Sequence, residues 1–235
     1  MAAVAVRRTL LAAALALAAG AALSACGSTP VDPTITTTPV TFTVTTPVPT
    51  TTVPTPTSSS YIGPQAVPIQ AGAFLAPAAT TALGTTIDGI QCNPLIQLAY
   101  TAYVHLQVYV HGRSRALPGA VGMVDPTAKV TDNGLLFTAG ACYYWLHTRA
   151  ADGVIMVQSP VDRRYTLGDL FALWRQPLSR DRVAHARGPV TALVNGRPWT
   201  RGPRQIPLRE HTQIQLAVGT PVPRVAPIDW APTGF

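Results

Sequence analysis

A threonine- and proline-rich stretch over residues 27 to 60 most constrains what this chain can fold into. It contains 14 Thr and 7 Pro among 34 residues, and Asp32 is its one charged residue. Proline cannot continue a helix or donate to a strand ladder, so no packed core is expected there. We predict an extended stalk, bare or O-glycosylated, of at most about 100 Å at about 3.1 Å per residue. The 175 residues from 61 to 235 are enough for one globular domain.

The segment before the stalk has the layout of a secretory signal. Arg7 and Arg8 precede an apolar run over residues 10 to 23, which is shorter than the roughly 20 residues that a spanning helix needs. We therefore interpret residues 1 to 25 as a cleaved signal peptide. Ordinary unfolded export is the first interpretation, and twin-arginine export remains an alternative.

The signal ends in a motif with a cysteine at the cleavage position. The residues Leu23-Ser24-Ala25-Cys26-Gly27 resemble the lipobox of bacterial lipoproteins of the actinobacterial type. That resemblance implies that Cys26 is acylated, palmitate included, and becomes the mature N-terminus. Two or more acyl chains anchor a protein firmly, because each buried methylene contributes about 0.8 kcal/mol. The expected location is the outer face of the cytoplasmic membrane, with residues 26 to 60 as the lipidated stalk.

The other two cysteines form an even pair once Cys26 carries lipid. Export places Cys92 and Cys142 in an oxidising compartment, where a disulfide is the expected state. The alternative is a thiol metal site, which would need a third ligand nearby.

The charge of the chain is basic and arginine-rich. Without Arg7 and Arg8 it carries 15 basic and 10 acidic residues, a net charge of +5. Such a charge could favour anionic lipid head groups or cell-wall polymers. The arginines are scattered along the chain without a nucleic-acid motif, so we expect a solvated basic surface and no nucleic-acid partner.

The patterning of the domain predicts an α+β fold that is mainly β, with a mixed sheet. Residues 98 to 110 alternate as one long strand that returns through residues 116 and 117. Residues 143 to 148 and 154 to 158 indicate a hairpin at the centre of a sheet. One clear amphipathic helix begins at a capping box of Thr166 and Asp169.

Two strand segments follow that helix, residues 190 to 194 and residues 212 to 218. The order from residue 141 to residue 219 is then that of a β-grasp core. Residues 98 to 117 form an extra hairpin in this interpretation, and the C-terminal segment from residue 220 is expected to pack on the domain.

Several motifs of the domain resemble a group of uncharacterised bacterial exported proteins. They are Val67-Pro68-Ile69, Ile87-Asp88-Gly89-Ile90-Gln91-Cys92, His105-Leu106, Cys142-Tyr143-Tyr144-Trp145-Leu146-His147-Thr148, Tyr165-Thr166-Leu167-Gly168 and Val194-Asn195-Gly196. Members of that group carry alternate histidines on neighbouring strands, which implies a possible metal site on one sheet face. Here only His105 and His147 remain, because the matching positions hold Thr101, Tyr103, Arg149 and Met156.

These two histidines are weak metal candidates, since a site needs a third ligand and Arg149 would repel a cation. The competing interpretation places them in a hydrogen-bonded aromatic cluster with Tyr103 and Trp145. No catalytic residue is assigned, because Ser159 lies in no nucleophile elbow and Cys142 and His147 fall on opposite strand faces. No cofactor is expected.

The sequence thus predicts a membrane-anchored extracytoplasmic lipoprotein, a non-enzymatic binding or envelope-interaction module of unknown ligand. Its expected partners are the bilayer, through acylated Cys26, and a cell-wall polymer or envelope protein. The alternative is a metal-binding or redox protein that uses His105 and His147.

Overall fold

A computed structural model of the chain describes residues 61–235. The predicted signal peptide, the acylation site Cys26 and the predicted stalk lie outside these described residues. Within residues 61–235, no helix is long and apolar enough to cross a membrane.

The described residues form twelve strands, one α-helix and two short 3-10 helices. The strands are β1 Cys92–Asn93, β2 Tyr100–Val110, β3 Arg113–Arg115, β4 Met123–Thr131, β5 Gly134–Tyr144, β6 Leu146–His147, β7 Val154–Ser159, β8 Arg182–Val183, β9 Ala186–Arg187, β10 Val190–Val194, β11 Arg197–Pro198 and β12 Gln213–Val218. The helix α1 is Leu167–Leu173, and the 3-10 helices are Ala78–Thr80 and Pro203–Gln205.

The largest sheet has the order β11-β10-β12-β2-β7-β6, and β3 pairs with the end of β2. The central pair, β12 and β2, is parallel, whereas the other neighbours are antiparallel. Strands β2 and β7 precede α1 in the chain, and β10, β11 and β12 follow it. These five strands, in the sheet order β11-β10-β12-β2-β7, have the order of a β-grasp core around one helix. The prediction of a mainly β, α+β fold with a mixed sheet is confirmed.

The predicted strand assignment within that core was wrong at its start. Residues 98 to 117 do form a hairpin, because β3 pairs antiparallel with the end of β2. That hairpin is not an addition outside the core, since β2 is the central strand, bonded to β12 on one edge and to β7 and β3 on the other. The predicted central hairpin is present as β6 and β7, which pair antiparallel. Its second strand β7 lies next to β2, but its first strand is reduced to the two residues of β6 at the sheet edge. Tyr143 and Tyr144 instead end β5, where they pair with β1.

The helix packs on one face of this sheet as its capping residues predict. The Thr166 hydroxyl accepts a hydrogen bond from the Asp169 backbone N–H, and the Asp169 carboxylate accepts one from the Thr166 backbone N–H. Phe171 and Trp174 are fully buried against each other, with ring centroids 5.6 Å apart. The capping box fixes where α1 begins, and the apolar face fixes which side it buries.

The opposite face of the sheet is covered by the C-terminal tail, residues 220–235, and by the residues around Val67. Gln215 donates from Nε2 to the Pro223 carbonyl at 2.8 Å. The Phe235 ring stacks on Tyr103, with centroids 4.3 Å apart and planes 4° apart. The prediction that the C-terminal segment packs on its own domain is confirmed, and His105 and Tyr109 on that face of β2 are buried.

A second sheet, of order β1-β5-β4, contains a long hairpin that periodicity does not predict. Six consecutive β4 residues, 125 to 130, are exposed, so the strand shows no alternation of apolar and polar positions. Its edge carries Pro126, a register shift between Val124 and Pro126, and Lys129. Proline, lysine and a bulge of this kind disfavour pairing of an edge strand with another chain.

The disulfide between Cys92 and Cys142 is present and joins this second sheet across β1 and β5, with the two Cα atoms 5.4 Å apart. Its chain separation of 50 residues encloses β2, β3 and β4. The prediction of this pairing is confirmed.

Candidate functional site

His105 is buried within the central strand, on the sheet face that the tail covers. Its Nε2 lies 3.0 Å from the Asp152 carbonyl oxygen, and because a carbonyl can only accept, Nε2 carries the proton and donates. The other ring nitrogen, Nδ1, has no hydrogen-bond partner within residues 61–235. Burial lowers the pKa of His105 to about 4, against the opposing effect of the Asp152 hydrogen bond.

His147 is buried in β6, the edge strand of the same sheet, and it carries its proton on Nδ1 instead of Nε2. Its Nδ1 donates to the Tyr144 carbonyl at 3.0 Å, and Nε2 has no partner in the part of the chain described. Burial, followed by repulsion from Arg149, lowers the pKa of His147 to about 4, although the Tyr144 hydrogen bond opposes this shift. Both imidazoles are therefore neutral near pH 7.

The strand register places both histidines on one sheet face with other side chains around them. Met156 lies opposite Tyr103 on one side and opposite His147 on the other. The described residues contain no group of three or more His, Cys, Asp or Glu that could hold a metal ion. Each imidazole keeps one buried nitrogen without a hydrogen-bond partner, and no third His, Cys, Asp or Glu of residues 61–235 joins them in one group.

The expected aromatic cluster around these histidines was wrong in its members. Tyr103 stacks on Phe235, and Trp145 donates from its indole nitrogen to Asn93 at 2.7 Å. The aromatic neighbour of His147 is Tyr143 instead, at a centroid distance of 5.3 Å. The difference arises because the ring that covers Tyr103 is Phe235 of the C-terminal tail. The strand pattern alone does not place the tail on this face.

Asp152 is the third buried titratable group of this region. One carboxylate oxygen accepts the Val154 backbone N–H at 3.0 Å, and the other has no partner among residues 61–235. Burial raises the pKa of Asp152 to about 7, against the effect of its hydrogen bonds to backbone N–H groups. The turn that links β6 to β7 thus holds a carboxyl group that resists ionisation.

These three groups predict a stability maximum near pH 6.5. Between pH 4 and 6.5 the folded state leaves both histidines unprotonated while the unfolded chain protonates them, so their contribution is lost as the pH falls. Over the same range the folded state keeps Asp152 protonated while the unfolded chain ionises it, so the contribution of Asp152 to stability rises as the pH falls. This offsets the effect of one of the two histidines. The net loss from these groups between pH 6.5 and 4 is about 3 kcal/mol, since one proton corresponds to about 1.4 kcal/mol per pH unit.

Urea unfolding measured from pH 4 to 8 checks this expectation. Asp152→Asn should gain stability relative to the native chain above pH 7, where the native carboxylate is forced to ionise in a buried site. His185→Gln is the matched control for replacing a histidine, because His185 is exposed. A profile that stays flat from pH 4 to 6.5 would contradict the burial of the two imidazoles.

The groups considered for catalysis are committed to structural contacts. Cys142 is in the disulfide, and the Ser159 hydroxyl is bonded to Tyr165 Oη and donates to the Val161 carbonyl at 2.9 Å.

A separate feature is the uneven distribution of charge along the domain. Residues 161 to 205 hold nine arginines and three aspartates, a net charge of +6, whereas the rest of residues 61–235 holds six basic and six acidic residues. The only ion pair within residues 61–235 joins His211 and Glu210 at 3.0 Å. The excess positive charge is therefore confined to one segment and is not neutralised there by ion pairs.

Within this segment lies a cleft of about 510 Å³. Its rim carries Arg164 on one side and Arg201 and Arg204 on the other, all exposed. The remaining lining residues are Thr166, Gly168 and Gln205. Three arginines line this one concave surface, which makes it a candidate site for oxyanions, because a guanidinium group presents several N–H donors in a planar fork.

Backbone contacts of long sequence range bring the two sides of this arginine cleft together. The Leu167 N–H donates to the Ile206 carbonyl at 2.8 Å, and the Leu208 N–H donates to the Tyr165 carbonyl at 2.9 Å. Gly168 permits the approach, because a Cβ there would lie 2.8 Å from the Arg204 carbonyl oxygen. The cleft therefore depends on close packing of α1 against the 3-10 helix Pro203–Gln205.

Gly168→Ala is expected to destabilise the domain by about 1 to 3 kcal/mol, because the added methyl group forces the two backbones apart. Gly202→Ala is the matched control, since a Cβ at Gly202 meets nothing within 4 Å and its φ of −62° suits alanine. Thermal unfolding of both variants measures the difference. Equal stability of the two would contradict the close contact at Gly168.

The position of Arg201 is supported by its aromatic neighbour. Its guanidinium carbon lies 5.7 Å from the Trp199 ring centroid, and the Trp199 indole donates to the Gly202 carbonyl at 3.2 Å. Arg180 donates to the Thr200 carbonyl at 3.1 Å and holds the same loop. These contacts keep Arg201 at the rim of the cleft.

The sequence interpretation missed this site because it judged the arginines over the whole chain. Counting charge by segment would have revealed that residues 161 to 205 hold all of the excess. Which of those arginines converge was not readable, since residue 164 and residues 201 to 204 meet only in the folded domain. Comparison with known protein families, with curated proteins and with solved structures finds no match to this chain.

Proposed function

We propose that this protein is a bacterial lipoprotein anchored through acylated Cys26 at the outer face of the cytoplasmic membrane. Residues 61–235 then form a non-enzymatic binding or envelope-interaction module, and the partner is a cell-wall polymer or an envelope protein. We also propose kinship with the uncharacterised exported proteins that share its Tyr-Trp-Leu-His-Thr motif at residues 144 to 148.

The observation that carries the binding role is the segregated charge. Residues 161 to 205 carry a net charge of +6 with no ion pair among them, and three of their arginines line one cleft, so this part of the domain attracts anionic groups. The disulfide supports the exported location, because disulfides persist in oxidising compartments and are rare in the cytosol.

The alternative of a metal-binding or redox protein has less support from the contacts of its residues. His105 and His147 are both buried, and each uses one ring nitrogen on a backbone carbonyl. Met156 lies in the register between His147 and the strand of His105. A metal ion would need to enter a face that the tail covers.

The location is tested by Cys26→Ser, because serine cannot accept the thioether lipid. We expect the native chain to sediment with membranes and Cys26→Ser to lose that attachment or to be mislocalised. Ser28→Ala is the matched control, since it changes a neighbouring residue and leaves the cysteine intact. Firm membrane attachment of Cys26→Ser would contradict the lipid anchor.

A further inference from the structure

We propose that the arginine cleft, formed by Arg164, Arg201 and Arg204, binds the phosphate groups of an anionic polymer of the cell envelope. This inference rests on the proposed binding function and adds the site and the chemical class of its ligand. It is carried by the charge, the shape and the lining of the cleft.

The three guanidinium groups are available to a ligand. None of them forms an ion pair with a carboxylate within residues 61–235. Two of the three aspartates of the segment serve local structure instead, since Asp169 caps α1 and Asp181 accepts a hydrogen bond from Ser179. The cleft therefore keeps the positive charge that a polyanion requires.

The size of the cleft favours a ligand with more than one charged group. Its volume of about 510 Å³ falls within the range of roughly 300 to 1,000 Å³ that is usual for ligand sites. Three planar forks can hold neighbouring phosphate groups along a chain, each through paired N–H donors. The Gln205 side chain adds an amide at the same wall.

The lining favours a polymer over the membrane surface. The lining residues include no large apolar side chain that could insert between lipids. The large exposed apolar residues of the described chain lie outside the cleft, among them Phe74, Leu83 and Val130. A concave basic wall fits a chain that enters it better than a flat array of head groups.

Calorimetry with linear inorganic polyphosphate tests the site on the full mature chain, purified in a nonionic detergent. We expect binding, and we expect Arg164→Gln, Arg201→Gln and Arg204→Gln each to weaken it roughly tenfold, as loss of a charge-assisted hydrogen bond does. The triple variant should also lower the slope of log affinity against log salt by about 2. Arg113→Gln is the matched control and should change the affinity less than about twofold, because Arg113 is exposed on β3 outside the basic segment.

The remaining outcomes overturn the inference. Absence of polyphosphate binding, or equal binding by the native chain and the triple variant, would exclude the cleft as a phosphate site. Glycerophosphoglycerol, a soluble lipid head group, is the second probe, and binding as tight as that of polyphosphate would assign the site to lipids. Neither result would affect membrane attachment, so the lipid anchor and the cleft fail independently.

Discussion

Replacing both Cys92 and Cys142 by serine is expected to lower the free energy of unfolding by about 4 kcal/mol. The bridge closes a 50-residue separation, and in the chain-entropy account a loop of that length loses about 4 kcal/mol of unfolded-state entropy. The bond ties β1 to β5. Domains of this size are usually stable by about 5 to 15 kcal/mol, so the loss is a large share of the total.

Urea unfolding of the double variant and of the native chain measures this difference at one pH. Cys26→Ser is the matched control, because it removes a cysteine outside residues 61–235 and should leave the unfolding free energy unchanged. Reductant should destabilise the native chain and have no effect on the double variant. A difference below about 1 kcal/mol would mean that the bridge does not constrain the unfolded chain as the loop length requires.

Trp174→Ala is expected to cost about 3 to 5 kcal/mol, the usual range for removing a large aromatic side chain from a core. Trp174 is fully buried, contacts Phe171 edge to face, and donates from its indole nitrogen to the Pro77 carbonyl at 2.8 Å. Its own carbonyl accepts the Thr80 hydroxyl at 2.8 Å. Trp174 therefore joins the C-terminal end of α1 to the segment that precedes the disulfide, through both its indole and its backbone carbonyl.

Two further variants separate the contributions of packing and hydrogen bonding. Trp174→Phe keeps most of the packing and should cost about 1 to 2 kcal/mol, chiefly because the hydrogen bond from the indole to the Pro77 carbonyl is lost. Trp230→Ala is the matched control, because Trp230 stacks on exposed His211 at 4.8 Å in the tail, and it should cost about 1 kcal/mol. Similar losses for Trp174→Ala and Trp230→Ala would contradict the central position of Trp174.

The helix was predictable because its determinants are local. Thr166 and Asp169 are three residues apart and satisfy each other's backbone groups, so short-range spacing fixes the start of α1. Its apolar residues then follow the helical period. The turn at Asn195 and Gly196 was equally readable, since both adopt positive φ values, 50° and 75°.

The order of strands was harder to predict because it depends on long-range pairing. The parallel partner of β2 is β12, more than one hundred residues later in the chain. The β4–β5 hairpin was missed because Pro126 and a run of exposed residues removed the alternating pattern of β4. The Asn133-Gly134 dipeptide at its tip was the local signal that could have indicated it.

In the sequence, the candidate site is visible only as an excess of arginine between residues 161 and 205. Segment-wise counting isolates residues 161 to 205, but the cleft itself depends on backbone bonds between residues 165 to 167 and residues 206 to 208. The buried histidines show the same limit. Strand alternation places His105 and Tyr103 on one face, and only the fold shows that Phe235 covers it.

The mass of the N-terminal peptide of the protein isolated from its native membrane tests the central proposal most directly. A bacterial lipoprotein should yield a peptide that begins at Cys26 and carries a diacylglyceryl group on its sulfur. A peptide that retains residues 1 to 25, or that begins at Cys26 with an unmodified thiol, would contradict the anchor and with it the proposed location of the binding domain.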